Sequence, residues 1–355
     1  MTRRLTLAAA QLGPVPRDAG RPAVVARLVD LLRDAAGQGA ELVVFPELAL
    51  TTFFPRWWYP DGDPELDAWY ETEMPGPDTA PLFAEAGRLG VGFCLGFAER
   101  TPEGRRFNTA VLIDRDGRTE LGRYRKIHLP GHHDHEPWRR FQHLEKRYFE
   151  RGDLGFPVFD AFGGRVGMLI CNDRRWPESY RALGLKGVEV VCIGYNTPVE
   201  NPPAPEHDRY GDFHNHLVMQ AGAYQNGTFV VGVAKAGREE GVDQIGGSCV
   251  IHPSGTILAQ CTTLGDEVCV TRVDLDDCRS YKTTVFDFRR HRQPDAYHEL
   301  VAPVDALDPT GTGTPAPTPA GIPARAPAPT GAVGGRRLPP TTVVVQDGGR
   351  PTIAS

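Results

Sequence analysis

Residues 166–178, V-G-M-L-I-C-N-D-R-R-W-P-E, join a short apolar run to a polar segment that carries two adjacent arginines. The run 166–170 follows Gly163 and Gly164, and its length favours a buried strand over a helix. Cys171 then falls at the end of that strand, where α/β proteins usually place their active sites. We therefore expect Cys171 to face a functional site.

Cys171 has two interpretations. Most free cysteines are small buried hydrophobic residues, so core packing is the simpler one. However, Arg174 and Arg175 follow closely, and positive charge favours the thiolate, which is the reactive form of cysteine. The polar residues that follow also put the thiol at an edge of the core. We predict that Cys171 is a nucleophile.

The composition of the chain excludes several classes of partner. Its 355 residues have the apolar and charged fractions of a soluble globular protein, with a net charge of −6. It has no long block of Lys or Arg, so neither nucleic acid nor a membrane is an expected partner. The N-terminal apolar run is too short for a signal peptide, and no stretch approaches membrane-spanning length.

Seven cysteines are scattered along the chain, with no C-x-x-C pair. An odd number without such pairs argues against a disulfide framework and against a zinc site. His132, His133 and His135 lie in one loop, but their spacing matches no standard zinc pattern. We expect no metal, no cofactor and a reducing, cytoplasmic location.

Strands and helices alternate in the N-terminal part of the chain. Residues 5–11 and 41–46 are predicted strands, and apolar residues at helical spacing predict a helix over 23–36. Further helices are predicted over 78–89, 177–185 and 213–226, strands over 91–99, 188–195, 228–234 and 268–274, and hairpins at Asp116-Gly117 and Ser254-Gly255. The mixture predicts an α/β domain with mixed sheets.

Two segments between these elements have an unusual composition. Residues 51–59 are rich in aromatic side chains, which form either ordinary core packing or an apolar wall beside Glu47. Residues 131–155 form a long polar stretch rich in His, Arg and Glu. Loops of that length inside a compact domain are usually functional.

Residues 305–355 differ in composition from the rest of the chain. Pro, Ala, Gly and Thr dominate up to Pro340, with almost no large apolar side chains. Such a segment cannot bury enough apolar surface to offset its ordering entropy. We therefore predict one catalytic domain over residues 1–304 and a disordered tail over residues 305–355.

Glu47, Lys126 and Cys171 each lie at or just past the end of a predicted strand. All three can therefore reach one common edge of the sheets. Taken singly, Glu47 could cap a helix and Lys126 could be an ordinary surface lysine. Taken together, they are candidates for one catalytic group.

The sequence resembles the carbon–nitrogen hydrolase (nitrilase) superfamily, whose Glu–Lys–Cys triad matches these three residues. The resemblance covers residues 4–303 and is strongest to the N-carbamoyl-D-amino acid hydrolases. Its motifs are F-P-E-L-A-L-T-T-F-F-P-R-W, Y-R-K-I-H-L-P-G-H, F-Q-H-L-E-K-R-Y-F, C-N-D-R-R-W-P-E and G-Y-N-T-P. It implies a four-layer αββα sandwich with two mixed sheets, which assembles as a homodimer or homotetramer.

The resemblance also implies the chemistry, which is hydrolysis of an N-carbamoyl-D-amino acid to the D-amino acid, ammonia and carbon dioxide. Glu47 would take the Cys171 proton and later activate water. Lys126 and the backbone N–H of Asn172 would stabilise the oxyanion. Five more side chains complete the implied site: His143 and Asn196 at the substrate, Glu145 beside Lys126 and Cys171, and His128 and Thr197 behind them.

Arg174 and Arg175 are candidates for binding a substrate carboxylate, because planar guanidinium forks suit it. A salt-bridging pair at the surface is the alternative, but the position directly after the nucleophile favours the carboxylate clamp. Chirality depends on a pocket shape that the sequence does not display. A β-ureidopropionase, an aliphatic amidase or a nitrilase would keep the same triad, whereas a non-catalytic binding module would usually lose part of it.

Overall fold

The first of two six-stranded sheets is built from the N-terminal part of the chain and one late strand. The computed structural model describes residues 2–301 except the side chain of Glu299. The strands of this sheet are β1 (Arg4–Gln11), β2 (Leu42–Val44), β3 (Gly92–Arg100), β4 (Arg106–Ile113), β5 (Glu120–Arg125) and β14 (Glu267–Asp274). Their order is β14-β1-β2-β3-β4-β5, with β1, β2 and β3 parallel and the remaining pairs antiparallel.

The second sheet repeats this arrangement. Its strands are β6 (Val158–Ala161), β7 (Gly164–Ile170), β8 (Val190–Tyr195), β9 (Phe229–Ala234), β12 (Cys249–Ile251) and β13 (Ile257–Gln260). Their order is β13-β12-β9-β8-β7-β6, with β7, β8 and β9 parallel and the outer pairs antiparallel. Both sheets are therefore mixed, as predicted.

The described residues form eight α-helices, and four of them cover the outer faces of the sheets. The eight helices are α1 (Arg21–Gly37), α2 (Pro64–Asp67), α3 (Ala80–Leu89), α4 (Glu145–Tyr148), α5 (Pro177–Leu185), α6 (Gly211–Asn226), α7 (Asp277–Thr283) and α8 (Phe288–His291). In α1, a proline in the first turn presets the helical φ, and Val24, Leu28 and Leu32 at helical spacing are buried. α1 and α3 pack on the first sheet, and α5 and α6 cover the second.

The largest apolar cluster lies between the two sheets. Leu7 and Val44 of the first sheet belong to the same buried cluster as Met168 and Val191 of the second. Alternate residues of the first sheet, such as Val43, face α1 and α3 instead. The layers are thus helix, sheet, sheet, helix, which confirms the αββα sandwich.

The chain divides into two units, one over Met1–Gln293 and one that begins at Pro294. The described part of the second unit contains two short 3-10 turns, Pro294–Ala296 and His298–Leu300. The predicted tail over residues 305–355 lies outside the described residues. Over residues 2–301, no helix is both long enough and apolar enough to cross a membrane.

Most of the predicted elements are confirmed, including the hairpins at Asp116-Gly117 and Ser254-Gly255. The elements that were not predicted are strand β6, the short helices α2, α4, α7 and α8, and the hairpin of β10 (Ala236–Glu239) and β11 (Val242–Ile245). The hairpin is the largest of them. Its sequence is mostly polar, so no clear alternation of apolar residues marks it. Its turn residues Glu240 and Gly241 both have positive φ, as a tight hairpin turn requires.

Candidate active site

The predicted catalytic residues lie just beyond the carboxyl ends of strands from both sheets. Glu47 follows β2, Lys126 follows β5, Cys171 follows β7 and Asn196 follows β8. Hydrogen bonds join these residues. Glu47 accepts from Lys126 and from the backbone N–H of Asn196, and the Cys171 thiol donates to the Asn196 carbonyl oxygen. The structure therefore brings together the three residues that the sequence singled out.

Close packing of the two sheets positions Glu47. A Cβ atom at Gly194 of β8 would lie only 2.4 Å from the Glu47 backbone nitrogen. A Cβ at Gly96 of β3 would lie 2.6 Å from the carbonyl oxygen of Pro46. Glycine at both positions lets the segment that carries Glu47 lie between the sheets.

Cys171 begins a 3-10 turn, Cys171–Arg175, with φ of +48°. This left-handed conformation is uncommon for residues other than glycine, and it concentrates at functional sites. Asp173 fixes the turn, because its Oδ2 accepts hydrogen bonds from the Ile170 N–H at 3.0 Å and the Tyr124 hydroxyl at 2.7 Å. The Cys171 thiol donates to the carbonyl oxygen of Asn196 at 3.5 Å.

Lys126 lies between two buried carboxylates. Its Nζ donates to Glu47 Oε1 at 2.7 Å and to Glu145 Oε2 at 2.6 Å, and all three side chains are fully buried. Burial alone lowers the pKa of Lys126, but the charges of Glu145 and Glu47 outweigh it and raise the pKa. Lys126 is therefore held as a cation.

Glu145 is held as an anion by the same contacts. Burial raises its pKa, but Lys126 and His143 outweigh that effect and lower the pKa to about 2. His143 Nε2 lies 3.0 Å from Glu145 Oε1. Glu145 thus supports Lys126 from the side opposite Glu47.

Asn108, which the sequence reasoning missed, also contacts both carboxylates. Its Nδ2 donates to Glu47 Oε1 at 2.8 Å and lies 3.4 Å from Glu145 Oε2. Asn196 holds the other Glu47 oxygen, because its backbone N–H donates to Oε2 at 2.9 Å. In the sequence, Asn108 is marked only as the single amide side chain of the mostly apolar strand β4.

The Cys171 thiol is neutral at rest. Burial and the neighbouring charge of Glu47 raise its pKa, and the opposing charges of Lys126 and Arg174 do not offset them. Attack by such a thiol needs a base to remove its proton. A carboxylate, a cation and a thiol therefore meet here in the combination that nucleophilic attack on an amide requires.

Arg174 has a different role from the predicted carboxylate clamp. Its side chain is 1% exposed, and its nitrogens donate to Asn215 Oδ1 at 3.0 Å, the Cys171 carbonyl oxygen at 2.7 Å and Thr197 Oγ1 at 2.8 Å. It also lies 4.2 Å from the centre of the Tyr195 ring. These contacts make Arg174 a support for the nucleophile turn, and they also occupy the hydroxyl of Thr197.

His128 and Asn172 join the turn to the loop that follows Lys126. His128 Nδ1 lies 2.8 Å from Asp173 Oδ1, and its ring stacks on Trp176 at 5.3 Å. Asn172 Nδ2 donates to the carbonyl oxygen of His128 at 3.1 Å. In this arrangement both side chains hold the backbone of the turn in place.

A cavity of about 400 Å³ opens beside the catalytic group. Its wall includes Arg175, His143 and Thr197. Arg175 is exposed, and its Nη1 lies 3.5 Å from Asn172 Oδ1, at the long end of a hydrogen bond. Among residues 2–301, Arg175 forms no ion pair, and it contributes to the cavity wall.

The aromatic stretch at residues 51–59 divides between core and site. Phe54 and Tyr59 pack in a separate buried cluster with Tyr148. Phe53 reaches the site, where its ring lies edge-on to His143 at 5.2 Å. Phe53 is therefore the aromatic residue of this stretch that contacts His143, and most of the stretch is core.

A family model for carbon-nitrogen hydrolases matches residues 6–283. The chain belongs to the carbon–nitrogen hydrolase family. A nitrilase from Pyrococcus abyssi is 33% identical over 245 residues, which cover 69% of this chain and 81% of that protein. An N-carbamoylputrescine amidase from Arabidopsis thaliana is 31% identical over 290 residues, which cover 78% and 89%.

Solved structures of this carbon–nitrogen hydrolase fold agree with the architecture. A carbon-nitrogen hydrolase from Helicobacter pylori G27 matches with a TM-score of 0.73 at 23% identity, covering 85% of this chain and 99% of that one. An amidase from Nesterenkonia sp. matches with a TM-score of 0.60 at 23% identity, covering 84% and 97%. The predicted superfamily and fold are thereby confirmed, and the protein is an enzyme that cleaves non-peptide carbon–nitrogen bonds.

Proposed function

We propose that this hydrolase converts N-carbamoyl-D-amino acids to D-amino acids, ammonia and carbon dioxide. The observation that carries the proposal is the position of Arg175 in the cavity wall, beside His143 and Thr197 and four residues from Cys171. A guanidinium in this position suits a carboxylate, which it can bind through two parallel hydrogen bonds.

Most other charged side chains of this wall have protein partners. Arg139 contacts Glu136, Glu200 contacts Arg140, and Asp208 accepts the backbone N–H of Asn201 at 2.6 Å. Among the described residues, Arg175 is the arginine of this wall that forms no ion pair, so its guanidinium can act on a substrate. Its positive sign favours a substrate with a carboxylate over one with an amine.

The relatives support the ureido part of the substrate. Four plant proteins at 30–31% identity are named N-carbamoylputrescine amidases, and that name describes a carbamoyl group on an amine. N-carbamoylputrescine and an N-carbamoyl-D-amino acid would have the carbamoyl group in common. The amine end of such a substrate would meet Arg175 in this chain, and like charges repel.

Glu47 is suited to start the reaction by taking the Cys171 proton, so that the sulfur attacks the ureido carbon. Lys126 and the Asn172 N–H would stabilise the oxyanion. Collapse of this intermediate, with proton transfer from Glu47, would break the C–N bond and release ammonia. Water activated by Glu47 would then cleave the thioester-type intermediate, and the N-carboxy amino acid would lose carbon dioxide.

The preference for the D enantiomer is supported by the resemblance of C-N-D-R-R-W-P-E and G-Y-N-T-P to the D-specific hydrolases. The deciding experiment measures ammonia release from N-carbamoyl-D-phenylalanine, its L enantiomer, 3-ureidopropionate and N-carbamoylputrescine, with Cys171→Ala as the control. Release from the D compound alone is the expected result. Release mainly from N-carbamoylputrescine would contradict the role of Arg175, and release mainly from the L enantiomer or 3-ureidopropionate would overturn the D preference.

A further inference from the structure

The β10–β11 hairpin is fixed against the segment that follows Asn196. The Ile245 N–H donates to the Thr197 carbonyl oxygen at 3.0 Å, and the Val199 N–H donates to the Asp243 carbonyl oxygen at 2.8 Å. These backbone hydrogen bonds place Gln244, in β11, beside the catalytic segment. The position of its side chain is thus determined by the sheet and not by a mobile loop.

A buried charge cluster anchors the other strand of the hairpin. Glu239, at the end of β10, pairs with Arg56 at 2.8 Å and with Lys235 at 3.0 Å. Its carboxylate also accepts the backbone N–H groups of Phe53 at 2.8 Å and Val15 at 3.0 Å. The hairpin and the segment that carries Phe53 are therefore held together by one carboxylate.

Gln244 and Asn196 line a small enclosed pocket between these segments, together with Phe53 and His143. Their side chains are 3% and 2% exposed, respectively. Neither Gln244 Oε1 nor Asn196 Oδ1 accepts a hydrogen bond from any described residue. Buried acceptors are normally paired with protein groups or water, so two unpaired ones that line a single pocket can accept donors from a ligand that displaces water.

We propose that Gln244 and Asn196 form a subsite that selects a hydrogen-bond donor on the substrate, with Gln244 as the specificity-determining residue. Asn196 links this subsite to the reaction, because its Nδ2 donates to the Glu47 carbonyl oxygen at 2.9 Å. The amide group of Asn196 thus has its nitrogen directed to the catalytic base and its oxygen available for substrate. This inference rests on the proposed hydrolysis of carbamoyl compounds at the same site.

Two parts of a carbamoyl amino acid carry suitable donors. One is the ureido group, whose terminal –NH₂ leaves as ammonia, and the other is a polar side chain. The –NH₂ group has two hydrogens and can donate to both carbonyl oxygens, whereas a side-chain hydroxyl has one hydrogen and can donate to one of them. An analogue without the donor would leave these oxygens buried and unpaired.

The test compares the wild type with Gln244→Met, which keeps the length of the side chain and removes its acceptor. The first arm takes the ratio of kcat/KM for N-carbamoyl-D-serine and N-carbamoyl-D-2-aminobutyrate, which differ by a hydroxyl in place of a methyl. The second arm takes the ratio for N-carbamoyl-D-alanine and its N′-methyl derivative. One neutral hydrogen bond corresponds to about a tenfold ratio, so the affected ratio should fall by about that factor in the variant.

A fall in the first ratio assigns the donor to the substrate side chain, and a fall in the second assigns it to the ureido group. If both ratios stay within twofold of the wild type, the inference is wrong. Gln244→Glu keeps an acceptor and should retain the preference, and thermal unfolding verifies that each variant is folded. If Gln244→Met does not fold, the wild-type ratios decide the question, and values near one in both arms overturn the proposal.

A failure of the proposed function would be recognised separately, as absence of turnover of every carbamoyl amino acid. The comparison is then made with 3-hydroxypropanamide and butanamide, which also differ by a hydroxyl in place of a methyl. A preference for the hydroxyl compound that Gln244→Met removes would support the subsite. Equal ratios in both proteins would refute it.

Discussion

Alanine substitution of Arg174 should lower the stability of the protein, whereas alanine substitution of the neighbouring Arg175 should weaken substrate binding. Arg174 is buried and donates to three protein acceptors, whereas Arg175 is exposed in the wall of the cavity. Arg174→Ala would leave the oxygens of Asn215, Cys171 and Thr197 unpaired in the core. Each buried acceptor left unpaired costs about 1–3 kcal/mol, so we expect the free energy of unfolding to fall by about 3 kcal/mol or more.

Arg175→Ala removes no buried hydrogen bond to the fold, and exposed substitutions usually change stability by less than about 0.5 kcal/mol. Its effect should appear as a higher KM for substrates with a carboxylate. A charge-assisted hydrogen bond contributes about 1.5–3 kcal/mol, which corresponds to a loss of about 10- to 100-fold in kcat/KM. A substrate amide without a carboxylate should be affected little.

Urea unfolding and steady-state kinetics on both variants separate the two roles. Arg174→Lys is the matched control, because it keeps the charge and cannot reach the three acceptors at once. We expect it to be nearly as unstable as Arg174→Ala. An Arg174→Ala protein as stable as the wild type, or an Arg175→Ala protein with unchanged KM for the carboxylate substrate, would refute this reasoning.

Three further predictions concern the buried charges. The Cys171 pKa is raised above 9.0, so the rate at which iodoacetamide alkylates Cys171, followed by mass spectrometry, should still increase above pH 9. A rate that reaches its plateau below pH 7 would reveal a preformed thiolate and contradict this prediction. The pKa of Glu145 is lowered from 4.5 to about 2, so its contribution to stability is present above pH 4.5 and is lost as the pH falls towards 2. The free energy of urea unfolding should therefore depend less on pH in that range for Glu145→Gln than for the wild type. Glu239→Ala leaves two buried cations without their carboxylate and should lower the free energy of unfolding by about 3–5 kcal/mol, and an unchanged urea midpoint would contradict it.

The parts of the site that could be predicted from the sequence are those encoded by strand ends. Glu47, Lys126 and Cys171 each lie at or just past the end of a predicted strand, so the rule that sites form at the carboxyl edge of a sheet was sufficient to group them. The family resemblance added Glu145, which contacts Lys126, and His143, which contacts Glu145. The mixed sheets followed from strands that alternate with helices and hairpins.

The other parts depend on contacts between residues far apart in the chain. The role of Arg174 follows from Asn215 in α6 and from Thr197, and no local pattern shows that these side chains converge on it. Asn108 in β4 contacts Glu47 after β2 although β3 separates these two strands in the sheet. The β10–β11 hairpin was missed because its polar residues are stabilised by buried ion pairs and not by an apolar face.

The structure separates the catalytic charges from the charge proposed to bind substrate. Lys126 and Arg174 are each fixed by hydrogen bonds to buried protein groups, whereas Arg175 faces the cavity. A change in the cavity wall would therefore alter the preferred substrate without uncovering a buried charge in the catalytic group. This arrangement is consistent with a family whose members, at about 30% identity to this chain, are named for different substrates.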